Sequence, residues 1–133
     1  MTFTLKIDES PFTKNREVAI TSSDCLQKEV SDILESGEGS ALLQHDKDDY
    51  LLFGVEGNYG FVQYDPGSKG GDYLWLKESE TGFDEDTINF NVGGTDTEIY
   101  KHRIIDKDLV LESLLYFYEH GGLIEKVWEI DEV

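Results

Sequence analysis

Hydrophobic positions alternate at the start of the chain. Phe3, Leu5 and Ile7 share one parity within residues 2–7, which predicts a short strand with one buried face. Residues 8–16 are polar, contain Pro11 and read as a loop, and Glu17 to Ile20 is too short to assign. The period then changes. Leu26, Val30, Ile33 and Leu34 recur at helical spacing and form one apolar stripe. Ser22, Ser23 and Asp24 offer capping oxygens ahead of that stripe, and Gln27 follows Asp24 by three, as in a capping box. Gly37 is a natural stop, because it accepts the left-handed conformation.

From residue 41 to 103 the pattern predicts strands. Ala41–Gln44, Tyr50–Glu56 and Tyr59–Tyr64 follow one another, with Asp48-Asp49 and Gly57-Asn58 at the turns. Asp65-Pro-Gly-Ser-Lys-Gly-Gly71 is a turn-rich loop. Asp72–Lys77 alternates, with Tyr73 and Trp75 on one face and Leu74 and Leu76 on the other. Thr87–Val92 keeps Ile88, Phe90 and Val92 in phase, Gly93-Gly94-Thr95-Asp96 turns the chain, and Thr97–Ile105 alternates less cleanly. Nine of the 13 glycines lie between Gly54 and Gly94, a density that suits tight hairpins rather than crossover helices. A second helix starts near Asp106 or Asp108, carries Leu111, Leu114, Leu115 and Tyr118 inward, and ends at Gly121-Gly122. Ile124–Ile130 is a last strand. The expectation is an α+β domain over residues 1–133: a meander-like antiparallel sheet of about six to eight strands with two main helices packed on it.

Composition narrows the function classes. The chain has 133 residues, the usual size of one domain, and 38% hydrophobic with 12% aromatic residues is too much for a disordered chain. Eleven bases against 29 acids leave a formal net charge of −18. That balance excludes ordinary nucleic-acid binding, since phosphate contacts need Lys and Arg, and it disfavours an anionic membrane surface. It favours a basic partner. A single cysteine, Cys25, forbids an intrachain disulfide and fits a reducing compartment. No secretory signal or membrane-spanning stretch is visible, so a cytoplasmic protein is expected.

Candidate chemistry is sparse. His45, His102 and His120 lack the i, i+4 spacing of a zinc helix. Asp46-Lys47-Asp48-Asp49 superficially resembles a calcium loop but lacks its sixth-position glycine and twelfth-position glutamate; a solvated turn explains it better. An exposed acidic loop likewise explains Asp84-Glu85-Asp86 better than a cation site. Gly67-Ser-Lys-Gly-Gly71 does not match a phosphate loop, and Asp65 and Asp72 flank it with the wrong charge. No serine sits in a nucleophile elbow. Cys25 falls in the first turn of a helix, where the dipole could activate it, yet a small residue near a helix start is the simpler account. No coherent catalytic set emerges, and no enzyme, cofactor or metal is expected.

Acidity is the strongest signal. Between Glu78 and Tyr100 lie seven acids and no base: Glu78, Glu80, Asp84, Glu85, Asp86, Asp96 and Glu98. Such density costs folded stability through repulsion. A merely soluble surface is one explanation, and an electrostatic lure for a basic protein is the other. Tyr50, Tyr59, Tyr64, Tyr73 and Trp75 are interleaved with acids, and amphipathic aromatics are typical interface anchors, although alternation must send half of them to the core.

The C-terminal third resembles a known family. Val92-Gly-Gly-Thr-Asp-Thr-Glu-Ile-Tyr, Ile104-Ile-Asp-Lys-Asp, Leu111-Glu-Ser-Leu-Leu-Tyr-Phe-Tyr-Glu-His-Gly-Gly and Val127-Trp128-Glu129 are similar to the ending of the Imm-one family, immunity proteins of bacterial polymorphic and contact-dependent toxin systems. Many members carry Pro a few residues before the Trp, where this chain has Leu123. Gly93, Gly94, Phe117 and Trp128 are the structural elements of the pattern. The resemblance implies inhibition by tight, stoichiometric binding. Several toxins countered by this family resemble nucleic-acid deaminases or nucleases, which need a basic groove, so an acidic plug agrees with the charge count. The expected contact surface comprises Asp65, Asp72, Tyr73, Trp75, Asp84, Glu85 and Asp86. The competing reading is a general acidic interaction module or nucleic-acid mimic with no dedicated toxin.

Overall fold

The computed structural model describes residues 2–9, 14–46, 48–78 and 84–131. In chain order the elements are β1 (Phe3–Glu9), β2 (Lys14–Ile20), α1 (Ser23–Ser36), β3 (Glu38–His45), β4 (Tyr50–Glu56) and β5 (Tyr59–Asp65). There follow β6 (Leu74–Lys77), β7 (Thr87–Val92), β8 (Thr95–Tyr100), β9 (Ile105–Asp106), α2 (Lys107–His120) and β10 (Val127–Ile130). Short 3-10 turns occupy Gly67–Lys69 and Lys101–Arg103. The fold is α+β, with one eight-stranded antiparallel sheet, a separate two-stranded ribbon β7–β8 and two helices.

Strand order in the large sheet is β10-β6-β5-β4-β3-β1-β2, with the short β9 added beside the start of β5. β3 to β6 form the expected meander. The start of the sheet is different: β1 pairs antiparallel with both β2 and β3, so those two run parallel to each other. Parallel strands cannot be joined by a hairpin, and α1 supplies the crossover. The segment 8–16 is therefore less of a loop than its polarity suggests, since β1 runs to Glu9 and β2 begins at Lys14.

Both helices start and stop as local chemistry dictates. The Ser22 hydroxyl accepts the Cys25 N–H at 3.1 Å, and Gly37 closes α1 at φ 71°. Ser22 thus holds the cap, and the Asp24–Gln27 pairing is not the one used. Asp106 caps α2 by accepting the Leu109 N–H at 3.0 Å, and Gly121 ends it at φ 70°. Among the described residues no helix is long and apolar enough to cross a membrane.

Strand alternation divides the apolar side chains between two layers. On one face of the sheet Leu5, Leu43, Leu51, Phe53, Val62 and Leu76 meet Leu26, Val30, Leu114 and Phe117 of the helices. On the other, Phe61 and Trp75 meet Phe90 and Ile99 of the ribbon, with Leu52 and Ile88 alongside. Consecutive residues such as Phe61 and Val62, or Trp75 and Leu76, therefore belong to different cores. Phe90 stands edge-on to Phe61 at 5.2 Å, and burying each ring is worth about 1.5–3 kcal/mol. A polar clamp fixes the ribbon's turn: the Gly93 N–H donates to Ser40 Oγ at 3.0 Å, and Ser40 donates to Asp8 Oδ2 at 2.7 Å. The result is a helix layer, a sheet and a ribbon that roofs only part of the second face.

Candidate functional site

The part of the sheet that the ribbon leaves uncovered is the place to look for function. Gln44, Tyr50 and Asp65 lie opposite one another across β3, β4 and β5. Tyr64 faces Leu74, so alternation puts Tyr73, one residue earlier, on the Asp65 side. Tyr73 is 44% exposed, and its carbonyl accepts the Asp131 N–H at 2.8 Å. Burial raises the Tyr50 phenol to about 12, helped by its hydrogen bond to Asp65 and by the nearby Asp65 and Tyr73. Asp65 also turns the chain, its Oδ1 accepting the Gly67 N–H at 2.8 Å. Asp72 is exposed beside Tyr73.

The adjoining part of the same face carries a polar network that the sequence pattern did not reveal. Glu129 lies opposite Trp75 on β10 and β6. Its carboxylate accepts from Arg103 Nε at 2.8 Å, from His102 Nε2 at 3.1 Å and from Lys77 Nζ at 3.4 Å. Burial alone would raise its pKa, but the hydrogen bonds and charges of Arg103 and His102 outweigh that and hold it below the ordinary carboxylate value. The Arg103 guanidinium also lies 4.8 Å from the Trp75 ring centroid and 5.3 Å from that of Tyr100. It reaches Asp131 at 3.9 Å.

His102 links this network to the acidic segment. The Asp84 N–H donates to its Nδ1 at 3.1 Å, the Asp84 carbonyl oxygen lies 3.2 Å from the same nitrogen, and Nε2 faces Glu129 on the opposite side. Asp84 Oδ1 then accepts the Asp86 N–H at 3.0 Å, and Asp86 stands 4.0 Å from Lys101. Asp84, Glu85 and Asp86 are all exposed. Their backbone is thus anchored while their charges face solvent.

The expected site residues accordingly fall into three groups. Asp65, Asp72 and Tyr73 gather at one end of β6, and Asp84, Glu85 and Asp86 line the far side of the Glu129 network. Trp75 lies between them but is only 8% exposed, a member of the second core beneath Arg103. Its Nε1 is buried without a hydrogen-bond partner. Glu80 lies outside the described residues. Lys77, His102, Arg103 and Glu129 are not among the expected contact residues, because only the pairing of β10 with β6 brings position 129 to position 75.

A second polar cluster has a structural role. Buried Asp49 accepts from the Tyr64 hydroxyl at 2.9 Å and pairs with Lys69 at 3.2 Å, joining the β3–β4 turn to the loop after β5. Burial and the Asp49 hydrogen bond raise the Tyr64 phenol to about 12. His45 Nδ1 faces Asp49 Oδ1 at 3.4 Å, an electrostatic contact rather than a hydrogen bond. The three histidines are thus engaged with Asp49, with Glu129 and, for His120, with the Tyr116 ring at 4.3 Å. Cys25 packs partly against the helix-side core. Among the described residues no group of three His, Cys, Asp or Glu side chains could hold a metal ion.

Comparison with known proteins gives one family match. A family model described as Immunity protein Imm1 matches residues 14–131. No curated protein matches the chain.

Proposed function

This chain belongs to the Imm1 immunity-protein family, and from that membership we propose that it neutralises a cognate bacterial toxin domain by binding it stoichiometrically, without turnover. The match over residues 14–131 is the observation that carries the reading, since it spans both helices, the ribbon and every strand of the large sheet except β1. Several features of the molecule support the finer points. Its net charge of −18 suits a toxin with a basic groove, as a deaminase or nuclease acting on nucleic acid requires. The uncovered sheet face presents Tyr50 and Tyr73 beside Asp65 and Asp72, the combination of amphipathic aromatics and acids that anchors and steers a protein contact. Asp84, Glu85 and Asp86 extend that surface. Trp75 contributes as its buried floor, holding Arg103 in place. Such a protein acts in the cytoplasm of the toxin-producing cell, within a polymorphic or contact-dependent system.

The test uses the toxin domain encoded beside this gene, expressed in cells with and without the protein. Rescue of growth and a co-purifying one-to-one complex are expected. Toxicity without rescue, together with similar affinity for unrelated basic proteins, would favour a general acidic module instead. In the complex, replacing Asp84, Glu85 and Asp86 together by Asn, Gln and Asn should slow association roughly three- to tenfold at low salt and less at high salt. An unchanged association rate would remove these acids from the interface.

A further inference from the structure

We infer that the slot between the start of β5 and the ribbon is a socket for an arginine side chain of the protein partner. The inference rests on the toxin-binding reading above and adds to it the chemistry of one anchor. The slot encloses about 230 Å³ and is lined by Tyr59, Glu78, Ile88, Lys101 and Ile104. Ile88 and Ile104 are outer members of the second core, so the apolar layer between sheet and ribbon opens to the surface here. Tyr59, directly after the Gly57-Asn58 turn, is 56% exposed, the most exposed large apolar residue among those described.

Three observations select the occupant. First, Glu78 is fixed in the wall, because its Oε1 accepts the Asp106 N–H at 2.7 Å; its other oxygen has no partner among the described residues. An apolar occupant would desolvate that carboxylate with nothing in exchange. Second, the surround carries an excess of negative charge. Glu56 lies opposite Tyr59, and Glu38 lies opposite Glu56. Like charges directly across a strand pair are unfavourable, and an incoming cation relieves them. An anion would meet the reverse. Third, the nearby bases have oxygen neighbours: Lys107 donates to the Leu34 carbonyl at 2.5 Å, and Lys101, the base in the slot's lining, stands 4.0 Å from Asp86. An arginine satisfies the other four walls at once. Its aliphatic stem packs on Ile88 and Ile104, while the guanidinium stacks on the Tyr59 ring and meets Glu78.

The experiment titrates the full ¹⁵N-labelled protein with acetyl-arginine amide and, separately, with its neutral isostere acetyl-citrulline amide. Saturable shifts centred on Tyr59, Ile88 and Ile104 are expected with the arginine probe only. They should weaken at least fivefold in Glu78→Gln, which retains an oxygen for the Asp106 N–H and therefore preserves the fold. Equal binding of citrulline, shifts spread evenly over the acidic surface, or an unaffected Glu78→Gln variant would each overturn the socket. The toxin complex gives an independent reading. Faster dissociation of Glu78→Gln and Tyr59→Ala complexes is expected; unchanged dissociation in a complex that does form overturns the socket and leaves the immunity reading intact. If no toxin complex forms, that reading fails and the titration still decides the socket.

Discussion

Two opposing effects meet at the Glu129 carboxylate. Burial disfavours its charge, while the hydrogen bonds and charges of Arg103 and His102 favour it and prevail. Its folded pKa is therefore depressed below the ordinary 4.5, and the stability it confers is present above that value and lost as pH falls through the folded one. Glu129→Gln should be destabilised at pH 7, where it leaves Arg103 and Lys77 without their carboxylate. The gap to the parent should narrow as the pH falls through the depressed folded pKa of Glu129, where the parent's own group takes up its proton. Urea denaturation of both proteins at pH 7 and over a descending acid series measures this, and a gap that stays constant would show that the ion pairing is not what Glu129 contributes. The same neighbourhood shows the reach of residue-level reading. Alternation correctly put Tyr73 and Trp75 on one face, yet one is exposed and the other buried. Parity fixes the face of a sheet; what covers that face depends on β7 and β8, folded over from later in the chain.

Packing between elements depends on places where no side chain fits. Gly60 on β5 is such a place: a Cβ there would lie 2.8 Å from the Gly54 carbonyl oxygen on β4 and 2.8 Å from Val110 Cγ2 on α2. Neither neighbour is a flexible side-chain tip, so Gly60→Ala must push β4, β5 or α2 apart. We expect a loss of about 1–3 kcal/mol, read as a lower urea midpoint with an unchanged slope. Gly122→Ala, whose added Cβ meets nothing within 4 Å, is the control and should stay within about 0.5 kcal/mol. Elements whose ends are written in local chemistry were legible in the sequence. The stripe from Leu26 to Leu34 with Gly37, the Gly57-Asn58 hairpin and the helix opened by Asp106 all form where their residues require. The elements that escaped depend on remote partners. β2 is polar and rests on β1, which pairs it along its whole length. β9 is two residues long and exists because Tyr59 and Gly60 offer an edge. The span from Thr97 to Ile105 breaks into β8, a 3-10 turn and β9, since Arg103 and His102 leave the ladder to reach Glu129. For the site, sequence composition indicated the acids and aromatics but not which of them share a surface, and the basic residues that organise that surface carry no periodic signal.

At the scale of the whole molecule the charge of −18 sets two tendencies against each other. In the free protein it is a cost. Glu38 faces Glu56 across the sheet, and Asp84, Glu85 and Asp86 are consecutive and exposed, with only a 4.0 Å contact to Lys101 beside them. Repulsion of this kind between exposed groups is screened over about 10 Å at 0.1 M salt, so adding salt should stabilise the free fold. Toward a basic toxin the same charges are an attraction, and screening should weaken it. One variable therefore acts with opposite sign on two measurements. Raising sodium chloride from about 10 to 150 mM should raise the melting temperature of the isolated protein, while stopped-flow mixing with the toxin domain should show association slowing over the same range. A surface that is acidic only for solubility predicts the first trend without the second. A partner recognised through apolar contact alone predicts an association rate that ignores salt. Finding both trends, with the association slope reduced by the triple amide replacement at Asp84, Glu85 and Asp86 and the melting trend largely kept, would tie the cost in stability to the speed of capture through these residues.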